Sequence, residues 1–246
     1  AGLLASHRPH ALSVEAAERL HGAMNQVKIM SPPTNCISPI GEDLLLKALQ
    51  QDLEADFYTT VTRPPSVYRG MPFQVEVGLA FGGQLPSDEP VQLFRYANRV
   101  PLQYQQSACA ITKSVLAIDW KNYHLSQARG ALPVGPLVLV VHVASVWVPF
   151  TSESKEAVAS YPEIMKEIRL GLLEAGRRVA VHIRRERRAR EEGKKRSYIQ
   201  KYIPHIGIAL QEILGLSDPE REKTVQVLTS TLEHSRGGEE DEERDR

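Results

Sequence analysis

Cysteine is nearly missing from this chain: Cys36 and Cys109 are the only two in 246 residues, with no CxxC or Cys/His neighbourhood around either. Such usage argues against a disulfide framework or a thiolate zinc site and makes a reducing compartment the default. No apolar run reaches the roughly 20 residues needed to span a bilayer, and no signal peptide is visible, so no membrane is expected as a partner. Excess charge of one sign is missing too: 30 Lys+Arg balance 30 Asp+Glu, which argues against a uniformly basic nucleic-acid coat. There is no P-loop, no HExxH, no GxSxG and no paired acids in a plausible pocket, so no catalytic constellation is expected. The chain opens at Ala1 rather than Met and in mid-pattern, as a piece of something longer would.

What is present begins with an ordinary hydrophobic content of 42%, enough for a real core in one large domain or a domain with an appendage. The balanced charge is unevenly spread. Arg177 to Lys201 holds eleven Lys/Arg against three Glu, a net of +8, and the last ten residues, GGEEDEERDR, carry a net of −4. Such asymmetry speaks of partners more than the total does.

The organising stretch is PVGPLVLVVHVASVWVPFTSESKE, Pro133 to Glu156. Leu137 to Val148 is nearly all apolar and valine-rich, which predicts a strand buried on both faces, the central rail of a sheet. A short polar loop after Pro149 then presents one cation, Lys155, ahead of a long helical pattern. By its own spacing Lys155 is an ordinary surface lysine. His142, inside the strand, reads as a satisfied core histidine rather than a ligand.

Ser13 suits the N-cap of a short amphipathic helix, VEAAERLHGAM. After the turn region SPPTNCISPIG, Ser38 and Pro39 read as the cap and first-turn proline of a second helix, EDLLLKALQQDL, with Glu42 and Asp43 where the helix dipole favours acids. Phe57 to Thr62 is β-branched. Phe73, Val75, Val77, Leu79 and Phe81 alternate as a half-buried strand does, Gly82-Gly83 turns the chain, and Val91 to Tyr96 returns as another strand. Ala108 to Ile118 reads as a helix. The expected class is α+β: a mostly antiparallel four-stranded sheet with helices on one face and a long C-terminal stalk helix, preceded by a small helical segment.

The last helix falls into zones. Ser160 and Glu163 match a capping box, with Pro162 in the first turn. Ile164, Ile168, Leu172, Val179 and Ile183 repeat at helical spacing and should pack on the sheet. Arg184 to Ser197 is polar all round except Ala189, the composition of a solvated stalk braced by Glu/Arg pairs. Apolar stripes return at Tyr198, Ile199, Tyr202, Ile203, Ile206 and Leu210. Beyond a stalk they cannot reach the domain's own core, so they are expected to dock on a partner. The tail after Ser235 has the composition of a disordered segment.

Two elements admit two readings each. Trp120-Lys121-Asn122-Tyr123 could stack on bases and contact phosphate, or Trp120 could cap the preceding helix and leave the lysine solvated; spacing alone favours the second. The basic run Arg184–Arg190 with Lys194–Arg196 is either a solvated stalk or a phosphate-facing surface whose DNA binding would be salt-sensitive.

The segments SPPTNCISPIGEDLL, RPPSVYRGMPFQVEVG, LFRYANRVPLQYQ, IDWKNYHL and VHVASVWVPFTSESKEAV, in this order, resemble the B subunit of DNA topoisomerase VI, a type IIB enzyme. The resemblance covers nearly all of residues 13 to 215. It implies a partial helix-two-turn-helix domain over 1–52, a transducer domain over 55–183, a stalk and partner-docking zone over 184–214, and a C-terminal extension with an acidic tail over 215–246. It makes Lys155 the candidate switch lysine contacting the ATP γ-phosphate, and Trp120, Lys121 and Tyr123 the family's WKxY element, implicated in engaging double-stranded DNA. It implies an A subunit as partner in an A2B2 enzyme that breaks and passes duplex DNA, located with the nucleoid or, in a eukaryote, the nucleus. ATP and Mg2+ would serve the complete enzyme. No Bergerat-type nucleotide-binding sequence is present here, so an ATPase lobe, in cis or in trans, would have to supply that site. A non-enzymatic B-like scaffold that only bridges a related cleaving subunit to DNA is the rival reading; the lysine-bearing switch loop favours the enzyme.

Overall fold

The computed structural model describes residues 2–3, 6–27 and 32–234. The chain divides into two compact units, Ala1–Arg177 and Arg178–Arg246. The expected disorder after Ser235, and residues 28–31 of the connection between the first two helices, lie outside the described residues.

The first unit opens with α1 (Val14–Gln26), whose Ser13 hydroxyl accepts from the Ala16 N–H at 3.3 Å, as the cap reading expects. Helix α2 (Glu42–Asp52) starts later than expected. Its N-cap is Gly41, at φ 91° and without a side-chain cap of its own, while Ser38 and Pro39 lie outside the helix. The strands are β1 (Phe57–Thr62), β2 (Ser66–Tyr68), β3 (Met71–Phe81), β4 (Gln92–Ala97), β5 (Val100–Pro101) and β6 (Leu137–Ser145). Helix α3 (Ala110–Leu116) lies between β5 and β6 in the chain, and α4 (Pro162–Leu214) follows β6.

The sheet runs β1-β3-β6-β4-β5, with β2 added on β3. Its four principal strands are the expected ones; β2 and β5, of three and two residues, make it six-stranded and are too short to leave an alternation in the sequence. All pairs are antiparallel except β4 with β6. Strand β6 is the rail: it pairs with β3 on one side and β4 on the other, and all nine of its residues are buried. It is shorter than expected. After Ser145 the chain leaves the sheet, and Val146 and Trp147 turn outward, the indole 72% exposed.

Helix α4 covers one face of the sheet, and α2, from the preceding helical segment, lies against the other. Successive residues of a strand point to opposite sides, and in β3 the neighbours Val77 and Gly78 meet different helices. A Cβ on Gly78 would lie 3.0 Å from a Leu49 methyl of α2, whereas Val77 approaches Gly171 of α4 so closely that a Cβ there would lie 2.9 Å away. Both glycines permit the close approach. Ile164, Ile168, Leu172 and Ala175 form the buried stripe of α4, and Val75, Val77 and Leu79 of β3 are as fully buried as they are. Pro162 stands at the first helical position as expected, but Tyr161 supplies the first helical carbonyl, accepting from Met165 N–H at 2.9 Å, and the Ser160 hydroxyl accepts from Lys113.

The second unit holds the rest of α4 and α5 (Asp218–His234), a helix no sequence pattern had suggested. At its start the Ser217 N–H and hydroxyl both donate to Glu220 Oε2, at 2.8 and 2.7 Å, so Glu220 supplies the carboxylate half of a capping box. In the stalk zone Arg187 pairs with Glu191 and Arg188 with Glu192 at one-turn spacing. No described helix is long and apolar enough to cross a membrane.

Candidate functional site

Three places carry the candidate residues: the loop after β6, the turn at Trp120, and the distal part of α4. The loop is a closed structure. Phe150 and Val158 bridge its base, Thr151 N–H donates to Ala157 O at 2.9 Å, and Ala159 N–H to Pro149 O at 2.8 Å. At its tip Lys155 N–H donates to Ser152 O at 3.2 Å, and the hydroxyls of Ser152 and Ser154 lie 2.7 Å apart. Lys155 itself adopts φ 56°, the left-handed region that costs an ordinary residue about 1 kcal/mol. Its side chain is exposed and has no ion-pair or hydrogen-bond partner among the described residues. A cation set out on a pinned loop, with no ion-pair partner among the described residues, can meet an anion from elsewhere.

At the second place the Trp120 indole is fully buried and donates Nε1–H to Val115 O at 2.9 Å, capping the C-terminal end of α3. Its ring meets Tyr123 edge-on at 5.8 Å, and Tyr123 lies against Gly176 of α4. Of the two readings of Trp120, the geometry matches the capping one that its spacing favours, and the enclosed ring has no free face to offer a base. Lys121 remains exposed at the head of this turn, its backbone fixed by Asp119, whose carboxylate accepts the Lys121 N–H at 3.2 Å. Trp120 and Tyr123 are therefore the footing that holds Lys121.

At the third place α5 divides the expected docking residues. Gly207 faces Val225 and Arg221 of α5, and Gln211 is held by Asp218 and Arg221 at 2.9 and 3.2 Å. Ile203, one turn before Gly207 on the same face, is buried, and Leu210 is half-buried. Ile203 is thus enclosed on the face that Gly207 turns to α5, and Leu210 partly so. Tyr198, Ile199, Tyr202 and Ile206 stay exposed, the two tyrosine rings 4.7 Å apart. Sequence reasoning missed this split because it assigned α5 no structure.

The interior of the first unit contains a charge that sequence reasoning placed only in part. His142 Nε2 accepts the Arg99 N–H at 3.0 Å, so its other nitrogen, Nδ1, carries the hydrogen and donates it to Glu76 Oε2 at 2.7 Å. Glu76 also accepts the N–H groups of Ile40 and Gly41, at 2.8 and 2.7 Å, at the start of α2. Burial pushes the Glu76 carboxyl up, but His142 and the two amides outweigh it and hold the group below its ordinary value. His142 is thus the satisfied core histidine expected. The cap that α2 lacks locally comes from Glu76, 35 positions away in the sequence.

Among the described residues the loop offers one exposed cation, Lys155, to an anion from outside. Among the described residues no group of three or more His, Cys, Asp or Glu could hold a metal ion.

The family model for the topoisomerase VI B subunit transducer matches residues 32–195. The B subunit of type 2 DNA topoisomerase 6 from Methanosarcina mazei is 44% identical over 232 residues, covering 94% of this chain and 37% of that protein. The protein of the same name from Archaeoglobus fulgidus is 43% identical over 232 residues, covering 94% and 38%. That of Natronomonas pharaonis is 47% identical over 200 residues, covering 81% and 25%. The chain thus spans well under half the length of these relatives. Among solved structures, the DNA gyrase B protein from Myxococcus xanthus overlaps 54% of this chain and 37% of that one at 18% identity, with a TM-score of 0.36, too distant an overlay to bear on the fold.

Proposed function

The chain belongs to the family of topoisomerase VI B-type transducers, and from that premise we propose that it relays ATP binding and hydrolysis to a DNA-cleaving A subunit, for double-strand passage and supercoil relaxation. The observation that carries this reading is Lys155: exposed, unpaired among the described residues and held at the tip of a hydrogen-bonded loop. An ammonium is a compact point charge suited to the terminal phosphate of a nucleotide bound by a separate lobe. In the ATP state Lys155 donates to that phosphate and the loop is held; once the phosphate leaves, the contact is lost and the transducer is released. ATP and Mg2+ belong to that lobe, and this chain contributes the sensor.

Lys121 contributes a phosphate contact to duplex DNA, with Trp120 and Tyr123 fixing its position. Tyr198, Ile199, Tyr202 and Ile206 dock the A subunit in an A2B2 assembly. The place of action is with the DNA, the nucleoid of a prokaryote or the nucleus of a eukaryote.

The decisive experiment places Lys155→Ala in a complete B subunit assembled with its A subunit. ATP-driven relaxation should fall by about a hundredfold, the scale of losing one charge-stabilising contact, while assembly is retained; unchanged relaxation would remove the switch role. Lys121→Ala should lower the salt slope of duplex binding by roughly one, and an unaltered slope would return that lysine to a solvated surface. Truncation at Glu192 should abolish capture by the A subunit, and retained capture would refute the docking role.

A further inference from the structure

The loop that carries Lys155 and the turn that carries Lys121 are far apart in the chain, yet one short helix is bonded to both. At the start of α3, Ala110 N–H donates to Val158 O at 2.8 Å, on the return limb of the loop. One turn further, Lys113 Nζ donates to the Ser160 hydroxyl at 3.1 Å. Just ahead of α3, Gln105, in the left-handed conformation at φ 50°, accepts the Thr151 hydroxyl through its side-chain oxygen at 3.4 Å. At the other end, Val115 O accepts the Trp120 indole N–H at 2.9 Å, and Trp120 O in turn accepts the Leu125 N–H at 3.2 Å, closing the turn that holds Lys121.

Between these ends α3 has little freedom to absorb a displacement. Five of its seven residues, Ala110, Ile111, Thr112, Ser114 and Val115, are buried, and a helix of that length is a rod of about 10 Å. A close-packed interior passes a shift on rather than dissipating it. We infer that α3 is a strut through which the Thr151–Ser160 loop sets the position of Lys121, with Lys113 and the Ala110 amide as its positioning contacts at the loop end. The regulatory meaning of this strut rests on the reading of Lys155 and Lys121 given above. A second connection exists, since the loop runs on into α4 and Tyr123 lies against Gly176 of that helix. The experiment must separate the two.

Ala110→Pro does so. It deletes the one N–H that grips Val158, at the first position of a helix, where the fixed φ of proline fits. Cys109 before it is already extended, at φ −73° and ψ 133°, the conformation a residue preceding proline requires. Because Ala110 is fully buried and the ring adds bulk, Lys113→Met is the companion variant, cutting the bond to Ser160 while keeping an apolar stem. Amide hydrogen exchange is measured on the whole chain, without nucleotide or DNA. The strut predicts that amides of 151–160 and of 120–125 exchange faster together, by roughly threefold to tenfold in Ala110→Pro, as expected for one lost hydrogen bond, and by a smaller joint factor in Lys113→Met. Faster exchange in 151–160 with 120–125 unchanged in both variants overturns the strut and leaves α4 as the connection. If Ala110→Pro loosens the whole unit, Lys113→Met decides. Since no ligand is present, joint exchange establishes the strut even where Lys155→Ala in the complete enzyme disproves the switch role.

Discussion

Glu76 and Lys155 are charged groups of the same unit, and they differ in every physical respect that matters. Glu76 is fully buried and has each of its oxygens engaged, by His142, Ile40 and Gly41. Lys155 is exposed, sits in a strained backbone conformation, and its side chain engages nothing among the described residues. A buried charge must be saturated to exist at all, because the desolvation cost is recovered only through its partners. An exposed one can be left open. Saturation marks Glu76 as part of the scaffold, fastening α2 to the sheet, and openness marks Lys155 as a group kept for something outside the chain.

The contrast is broken most directly by removing the saturated group. Glu76→Ala should destabilise the first unit by about 3–5 kcal/mol in urea unfolding, since it leaves the His142 Nδ1–H and the half-buried Ile40 and Gly41 amides unpaired at once; a loss under about 1 kcal/mol would show that the network contributes little. Acid should act in the same direction. The folded carboxyl lies below its ordinary value of 4.5, so its contribution is complete above that pH and is lost as pH falls through the depressed folded value. Its full slope is about 1.4 kcal/mol per pH unit, one proton's worth. Glu76→Gln should remove that part of the acid dependence, and an identical pH profile in the variant would contradict it. Arg99→Ala tests the rim of the same network, where the guanidinium donates to Pro39 O at 2.7 Å and to the Ser38 hydroxyl at 3.2 Å. Its loss should cost about 1 kcal/mol, the scale of an exposed charge-assisted bond. Lys155→Ala should have the smallest effect on folding, within about 0.5 kcal/mol either way. A substantial destabilisation there would mean that Lys155 is bonded within its own chain after all.

Much of this was legible in the sequence because it depends on neighbours along the chain. The valine run of β6, the alternation of β3, the Ser13 cap and the buried stripe of α4 all follow from local periodicity. So does Lys155 as an isolated polar-loop cation, although only a family resemblance picks it out from other surface lysines. The misplaced features share a physical cause. Ser38 looked like the cap of α2 because its type and spacing suit one, yet the cap is Glu76, brought in by the sheet. Val146 and Trp147 looked like strand because apolar character continues past the point where pairing stops.

The sequence by itself determined the four principal strands and the helices α1 to α4, the burial of β6 on both faces and the presence of one lone lysine after it. Those are properties of period and composition. Tertiary structure alone decided which face each helix covers, that Ile203 is buried while Tyr202 stays open, and that α3 touches both the loop at 151–160 and the turn at 120–125. Each of these depends on contacts between residues distant in the chain, and local pattern carries no record of which distant surfaces meet.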